Sequence, residues 1–221
     1  MAVPPFHPVD ALPPELRRRK SATQVRAQKS VQDIIAAAAK LIEEVGVDDL
    51  NTNTLAERAG VLVRTVYRYF PNKFAIVAHL SQQMTDAWFE QMNDHLALIG
   101  SADSDWRDAF KRLVGDWIDN VNSQPGGLAV VQAMGSSPIL RDLDKEQFGR
   151  IAGALFDNIS PHTKLDHHRL RVICHTVTSM MYGFGDSYAR IPSTLRTDVG
   201  QMTSEMIIKV VEPAFFALDE D

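Results

Sequence analysis

Apolar residues recur along this chain at three-and-four spacing from Val31 onward. Val31, Ile34, Ile35, Ala38, Leu41, Ile42 and Val45 fall on one face of a helix. The alanines at 36–39 favour helix and offer a narrow surface for close packing, and Gly46 supplies the stop. Asn51, Thr52, Asn53 and Thr54 are candidate N-caps for a short helix reaching Ala59, with Glu57 placed as a capping-box partner of Thr54. Gly60 breaks that helix, Val61 opens another short one through Phe70, and Pro71-Asn72 marks the next boundary. A longer helix starts near Lys73, with Phe74, Ile76, Val77 and Leu80 as its apolar face, and runs to about residue 99. Further helical stretches follow at roughly 104–121, 128–134, 139–157, 165–189 and 194–216, divided by Gly-, Ser- and Pro-bearing breaks. No segment alternates cleanly at period two between turn residues, so the spacing predicts an all-α protein of about nine helices.

Composition changes this picture little. The length of 221 residues allows one large domain or two modest ones, and 45% hydrophobic content is ordinary for a globular protein. No run approaches the roughly 18 consecutive apolar residues of a membrane span, so no membrane partner is expected. The Pro-rich start and the basic run at 17–20 lack the order of a secretory signal. Cys174 is the only cysteine, which excludes an internal disulfide and suits a reducing cytoplasm. The net charge of -5 argues against a nucleic-acid binder until it is divided along the chain. Residues 1–85 hold 11 Lys and Arg against 8 Asp and Glu, and the remainder holds 12 against 20. A positive end can therefore face a polyanion while the acidic remainder stays in solvent.

The two short helices around Gly60 carry the most specific chemistry. In such an arrangement one helix crosses a DNA backbone while the next turns its outer face to the major groove. Ala56 and Ala59 are small enough for the close crossing that a tight turn imposes, with Leu55 beside them. Val61, Val66 and Phe70 would bury the second helix, leaving Val63, Arg64, Thr65, Tyr67 and Arg68 on surfaces that reach DNA. Arg64 and Arg68, four apart, suit guanine edges or phosphates. Thr65 suits a phosphate, and the Tyr67 hydroxyl a phosphate or sugar. Lys73 would neutralise a phosphate beside the free N–H groups of the following helix. Two isolated arginines are ordinarily a solvated face. The threonine, the aromatic pair and the turn spacing together favour DNA. Tyr69 fits either a phosphate contact or a half-buried core aromatic.

The segment DIIAAAAKLIEEVGVDDLNTNTLAERAGVLVRTVYRYFPNKFAIVAHL resembles the N-terminal domain of the tetracycline-repressor (TetR) family of bacterial transcriptional regulators. The matching positions are Gly46, Thr52, Leu55-Ala56, Ala59-Gly60-Val61, Thr65-Val66-Tyr67, Phe70 and Lys73. The detailed likeness covers about residues 28–80 and extends by length and helix count to the whole chain. It implies a flexible basic arm at 1–27, a three-helix helix-turn-helix head at 28–75, and an effector-binding and dimerisation domain at 76–221. It further implies a homodimer on a palindromic double-stranded operator, acting as a repressor released by a small effector, with no enzymatic activity and no cofactor. Carried over, the DNA contacts fall at Val63, Arg64, Thr65, Tyr67, Arg68, Tyr69 and Lys73, with Thr52 on the preceding helix. Two departures stand out. Leu62 occupies the place where the family commonly has a capping Ser, and Arg64 stands where many members have Gly, which suggests an altered operator preference. Arg18 and Arg19, in the basic run, suit either an arm in the adjacent minor groove or a solubilising tail.

Large side chains are spread over the later helices. Trp88, Met92, Phe110, Trp117, Met134, Phe156, Met180 and Phe184 are candidate effector contacts as well as ordinary core, and the resemblance favours an apolar or aromatic effector. Apolar stripes on the last two helices, Val172, Ile173, Val177, Met180, Met181 and Phe184, then Met202, Met206, Ile207, Val210, Val211 and Phe215, fit a four-helix dimer interface or an internal core. Gly183 and Gly185 permit close approach. His162, His167, His168 and His175 raise a metal or catalytic reading. His168 and His175 are two turns apart, about 10 Å along a helix, which is long for a shared tetrahedral zinc. No metal is therefore expected. An all-α catalyst using these histidines and a protein-interaction module with a helix-turn-helix shape are the competing classes.

Overall fold

The computed structural model describes residues 12–19, 25–97 and 105–216. Among these the chain forms nine α-helices and no strand: α1 (Val25–Val45), α2 (Thr52–Arg58), α3 (Val63–Tyr69), α4 (Lys73–Ala97), α5 (Trp106–Ser123), α6 (Gly127–Ser136), α7 (Arg141–Ile159), α8 (His167–Ser187) and α9 (Arg196–Phe216). The all-α reading holds. The largest difference in extent is at α1, which begins six residues before the first apolar repeat, on the polar stretch from Val25 to Ser30. No apolar periodicity marks that extension, because it buries nothing: Val25 is 80% exposed.

The chain divides into two compact units. The described residues of one, the head unit, are 12–19, 25–86 and 121–144. Its core is built by α1, α2 and α3, where Ile34, Ala38, Ile42, Leu55, Ala56, Val66 and Phe70 are all buried. Full burial of side chains such as Leu55 contributes roughly 1.5–3 kcal/mol each. The boundary expected near residue 75 is thus not a simple cut along the chain, because α6 packs on α1. The reason is the Gly126-Gly127 pair. Gly126 has φ +70, and a Cβ there would lie 2.5 Å from the Ala39 carbonyl oxygen of α1. A Cβ on Gly127 would lie 2.2 Å from the Val121 carbonyl oxygen, so only glycine admits this approach of backbone to backbone.

The second unit holds the described residues of 87–120 and 145–216. Its core gathers Trp88, Met92, Phe110, Leu113, Phe156 and Val177 with residues of α9. Helices α8 and α9 pack along each other. Trp117 of α5 lies over Gly185 of α8, so close that a Cβ there would meet the indole at 2.1 Å. All three tryptophans, Trp88, Trp106 and Trp117, belong to this unit. Trp106 stacks on Phe215 at 4.5 Å between ring centroids. Among the described residues no helix is long and apolar enough to cross a membrane.

Candidate nucleic-acid interface

The turn between α2 and α3 is fixed by backbone hydrogen bonds. The Val61 N–H donates to the Ala56 carbonyl at 2.9 Å and the Gly60 N–H to the Glu57 carbonyl at 3.1 Å. This pair of bonds closes the C-terminus of α2 with Gly60 in the left-handed region at φ +63. Entry to α2 is held by Asn51, whose side chain accepts from the N–H groups of Asn53 and Thr54. That corrects the Thr54–Glu57 capping box: Thr54 lies inside the helix, and Asn51, directly ahead of its first residue Thr52, does the capping. Arg58 of α2 donates to Glu44 of α1 at 2.6 Å, which holds the Glu44 carboxyl below its usual range and raises the Arg58 guanidinium. Both groups are exposed, so the pair orients more than it stabilises.

Helix α3 presents a divided surface. Val66 is buried against the core, while Arg64, Tyr67 and Arg68 are exposed and Val63 and Thr65 half-buried. The Tyr67 hydroxyl and the Thr52 hydroxyl of α2 are 3.0 Å apart, which links the outer face of α3 to the first residue of α2. Thr52 therefore stands beside Tyr67, and the two hydroxyls share one hydrogen while leaving other lone pairs free. Leu62, at the start of α3, makes no side-chain cap and is 58% exposed, as its departure from serine implies.

Tyr69 is 4% exposed and belongs to the core of the head, so the phosphate alternative for it falls. Its position explains the difference: Val66, Tyr69 and Phe70 fall at three-and-four spacing, the inward stripe of this helix. Lys73 opens α4 and donates to the Asp48 carbonyl at 2.5 Å. An ammonium has three hydrogens, so this bond leaves two for a phosphate. The α4 N-terminus is capped by Asn72, whose Oδ1 accepts from the Ala75 N–H at 2.9 Å. The sequence signal for that cap was Pro71-Asn72 directly ahead of the helical run.

Over residues 12–19 the N-terminal segment is packed on the head. Leu12 and Leu16 are buried, Asn72 donates to the Glu15 carbonyl, and the Arg19 N–H donates to the Tyr69 carbonyl at 2.8 Å. Arg17 turns back on the segment itself, donating through Nε and Nη2 to the Leu12 carbonyl. Leu12 and Leu16 supply the apolar anchors of this segment, beside Pro13 and Pro14. Arg19 is exposed at the C-terminal end of α3, with Nη1 3.3 Å from the Tyr67 carbonyl. Arg18 points otherwise. It is half-buried, its Nε is buried without a hydrogen-bond partner, and burial lowers its pKa. The remainder of the expected arm at 1–27, apart from 12–19 and 25–27, lies outside the described residues.

Of the candidate effector contacts, Trp88, Met92, Phe110 and Phe156 are buried together in the core of the second unit, with Trp117 and Met180 packed against it. Phe184 is buried and meets Tyr188 edge-on at 5.7 Å. Met134 is buried in the head unit with α6. On α8 and α9, Ile173, Val177, Met181, Phe184, Ile207, Val211 and Phe215 face inward, while Val172, Met202 and Met206 are 52%, 64% and 55% exposed. Around Gly183 the space is open. Burial pushes the Cys174 thiol up to about 12, which leaves it unreactive.

Residues 34–80 match the family model described as bacterial regulatory proteins, tetR family. The tetracycline repressor protein class A from transposon 1721 of Escherichia coli is 40% identical over 74 residues, which are 34% of this chain and 32% of that protein. The class C repressor of the same organism is 33% identical over 78 residues, 35% of this chain and 33% of its own length. The chain thus spans about a third of the length of the curated relatives it matches. Among solved structures, a tetR-family transcriptional regulator from Streptomyces coelicolor gives a TM-score of 0.61 at 16% identity, covering 87% of this chain and 85% of that one. NalD of Pseudomonas aeruginosa, the secondary repressor of the MexAB-OprM multidrug efflux pump, gives 0.60 at 16% identity, covering 89% and 100%. At such identities the likeness is one of fold.

Proposed function

We propose, from the match of residues 34–80 to the tetR family of bacterial regulatory proteins, that this chain is a sequence-specific DNA-binding transcriptional regulator that reads a palindromic operator as a homodimer. The observation that carries the reading is the outer face of α3, where Arg64, Tyr67 and Arg68 stand exposed behind a turn fixed at Gly60. Arg64 and Arg68 read base edges or clamp phosphates in the major groove, Val63 and Thr65 lie at the margin of the contact, and Tyr67 with Thr52 binds the sugar-phosphate backbone. Lys73 adds a phosphate contact at the start of α4, and Arg19 adds positive charge at the far end of α3.

One head touches too few phosphates for tight specific binding, and two-fold pairing doubles the contacts. The pairing surface proposed is the exposed side of α8 and α9. There Val172, Met202 and Met206 lie bare, and Thr176, Ser179 and Gly183 continue the α8 face as small exposed residues that admit a second helix. A small apolar or aromatic effector, held among the large side chains of the second unit, would shift the dimer between binding and released states and make it a repressor. This places the protein in the cytoplasm with the DNA it reads, and assigns it no catalytic step.

The test is a gel-shift with DNA flanking the gene itself, over a range of salt. A band that weakens steeply with salt and is competed by the operator but not by scrambled DNA supports the reading. Absence of any sequence-dependent band at low salt overturns it.

A further inference from the structure

The head unit contains a feature that DNA reading does not use. Between α1, the start of α4 and the Gln124-Pro125 segment lies a groove of about 710 Å³, within the usual size range of small-molecule sites. Its wall is aliphatic where Val31, Ile35 and Leu80 line it, and Arg18 and Lys40 bring two cations to it. None of the residues lining it is acidic. Arg18 is the anomaly. Its Nε is buried with no hydrogen bond, and no carboxylate among the described residues pairs with it. The side chain is half-buried and burial lowers its pKa, and the planar fork of a guanidinium matches one partner best, a carboxylate.

We propose that this groove is a binding site for a small amphipathic monocarboxylate, its anion taken by Arg18 under the field of Lys40 and its tail laid along Val31, Ile35 and Leu80. His79, which also lines the groove, is held neutral by burial and by Arg18, with its pKa lowered to about 4. It offers a ring N–H without adding a third charge, which suits a monoanion better than a dianion. Glutamines along the groove, Gln83 among them, provide amide donors for the second carboxylate oxygen. An inorganic anion would satisfy the guanidinium and leave the aliphatic wall wet. The site lies within the head unit and is separate from the effector core of the second unit.

Calorimetry of the full chain at neutral pH, without DNA, tests this with octanoate as probe and with octanamide and inorganic phosphate as controls. Octanoate should bind with one-to-one stoichiometry, and octanamide and phosphate at least tenfold more weakly. Arg18→Met should lower octanoate affinity tenfold or more. Gln83→Glu, at an exposed position that leaves the fold intact, should lower it several-fold by opposing the anion. Circular dichroism melts establish that each variant is folded, and if Arg18→Met is not, the Gln83→Glu result decides. No binding heat, equal binding of octanamide or phosphate, or octanoate affinity unchanged in the folded variants would overturn the proposal. Since no DNA is present, these outcomes are independent of whether the operator reading stands.

Discussion

Arg64 and Arg68 stand one helical turn apart with no carboxylate of α3 between them, so their contribution to DNA binding can be separated by substitution. Arg64→Ala should weaken operator binding by about 1–3 kcal/mol and relax preference at one base pair if the side chain reads a base edge. A purely phosphate-clamping Arg68 behaves differently on change to Ala: affinity falls evenly for all sequences and the salt slope drops by about one. Fluorescence anisotropy on operator and scrambled duplexes over a salt series distinguishes the two. His79 yields a residue-scale prediction of another kind. Burial, with Arg18 adding, holds its pKa at about 4 against an ordinary 6.5. Between those values the unfolded chain takes up a proton that the folded chain refuses. Stability is therefore complete above about pH 6.5 and is lost as pH falls toward 4, by at most about 3 kcal/mol. Urea melts at pH 7 and pH 5 should show this loss in the native chain and a smaller one in His79→Leu. An equal loss in both would remove His79 as the cause.

At the scale of elements, α3 is a seven-residue helix that begins without a side-chain cap. Leu62→Ser supplies one and should raise stability by about 0.5–1 kcal/mol, read as a higher urea midpoint at unchanged slope. The close seat of α6 on α1 predicts the opposite effect for Gly126→Ala. Its positive φ and the Ala39 carbonyl 2.5 Å from the new Cβ should together cost about 2–4 kcal/mol, visible as a lower Tm. These two sites also show what was legible in the chain. The helices, their order and the Gly60 turn could be read because periodicity and breakers act within a few residues. Leu62 as a missing cap was legible for the same reason. The seat of Gly126 on Ala39 was not, since nothing near Pro125 signals which distant helix its backbone will touch. Tyr69 is ambiguous in the sequence because burial on a two-turn helix depends on its neighbours in the fold, here including a segment tied to it by the Arg19 N–H bond to its carbonyl. Arg18 was read as one of four similar basic residues, and only packing separates it from Arg19.

At the scale of the whole molecule, the exposed methionines of α9 carry the assembly prediction. Met202→Glu with Met206→Glu places two charges on the proposed pairing surface and should yield monomers in sedimentation, together with loss of operator binding. A dimer that persists in the double variant would locate the interface elsewhere. The placement of the tryptophans has a consequence for how the chain's unfolding can be watched. With Trp88, Trp106 and Trp117 all in the second unit, intrinsic indole emission is a private signal of that unit, and the head, whose near-ultraviolet chromophores are Tyr67, Tyr69 and phenylalanines, is silent under excitation selective for indole. Superimposable denaturation curves from emission and from helical ellipticity would mean that the two units melt as one cooperative body. Curves that separate would give the head its own midpoint, and would do so on the native sequence, with no label attached.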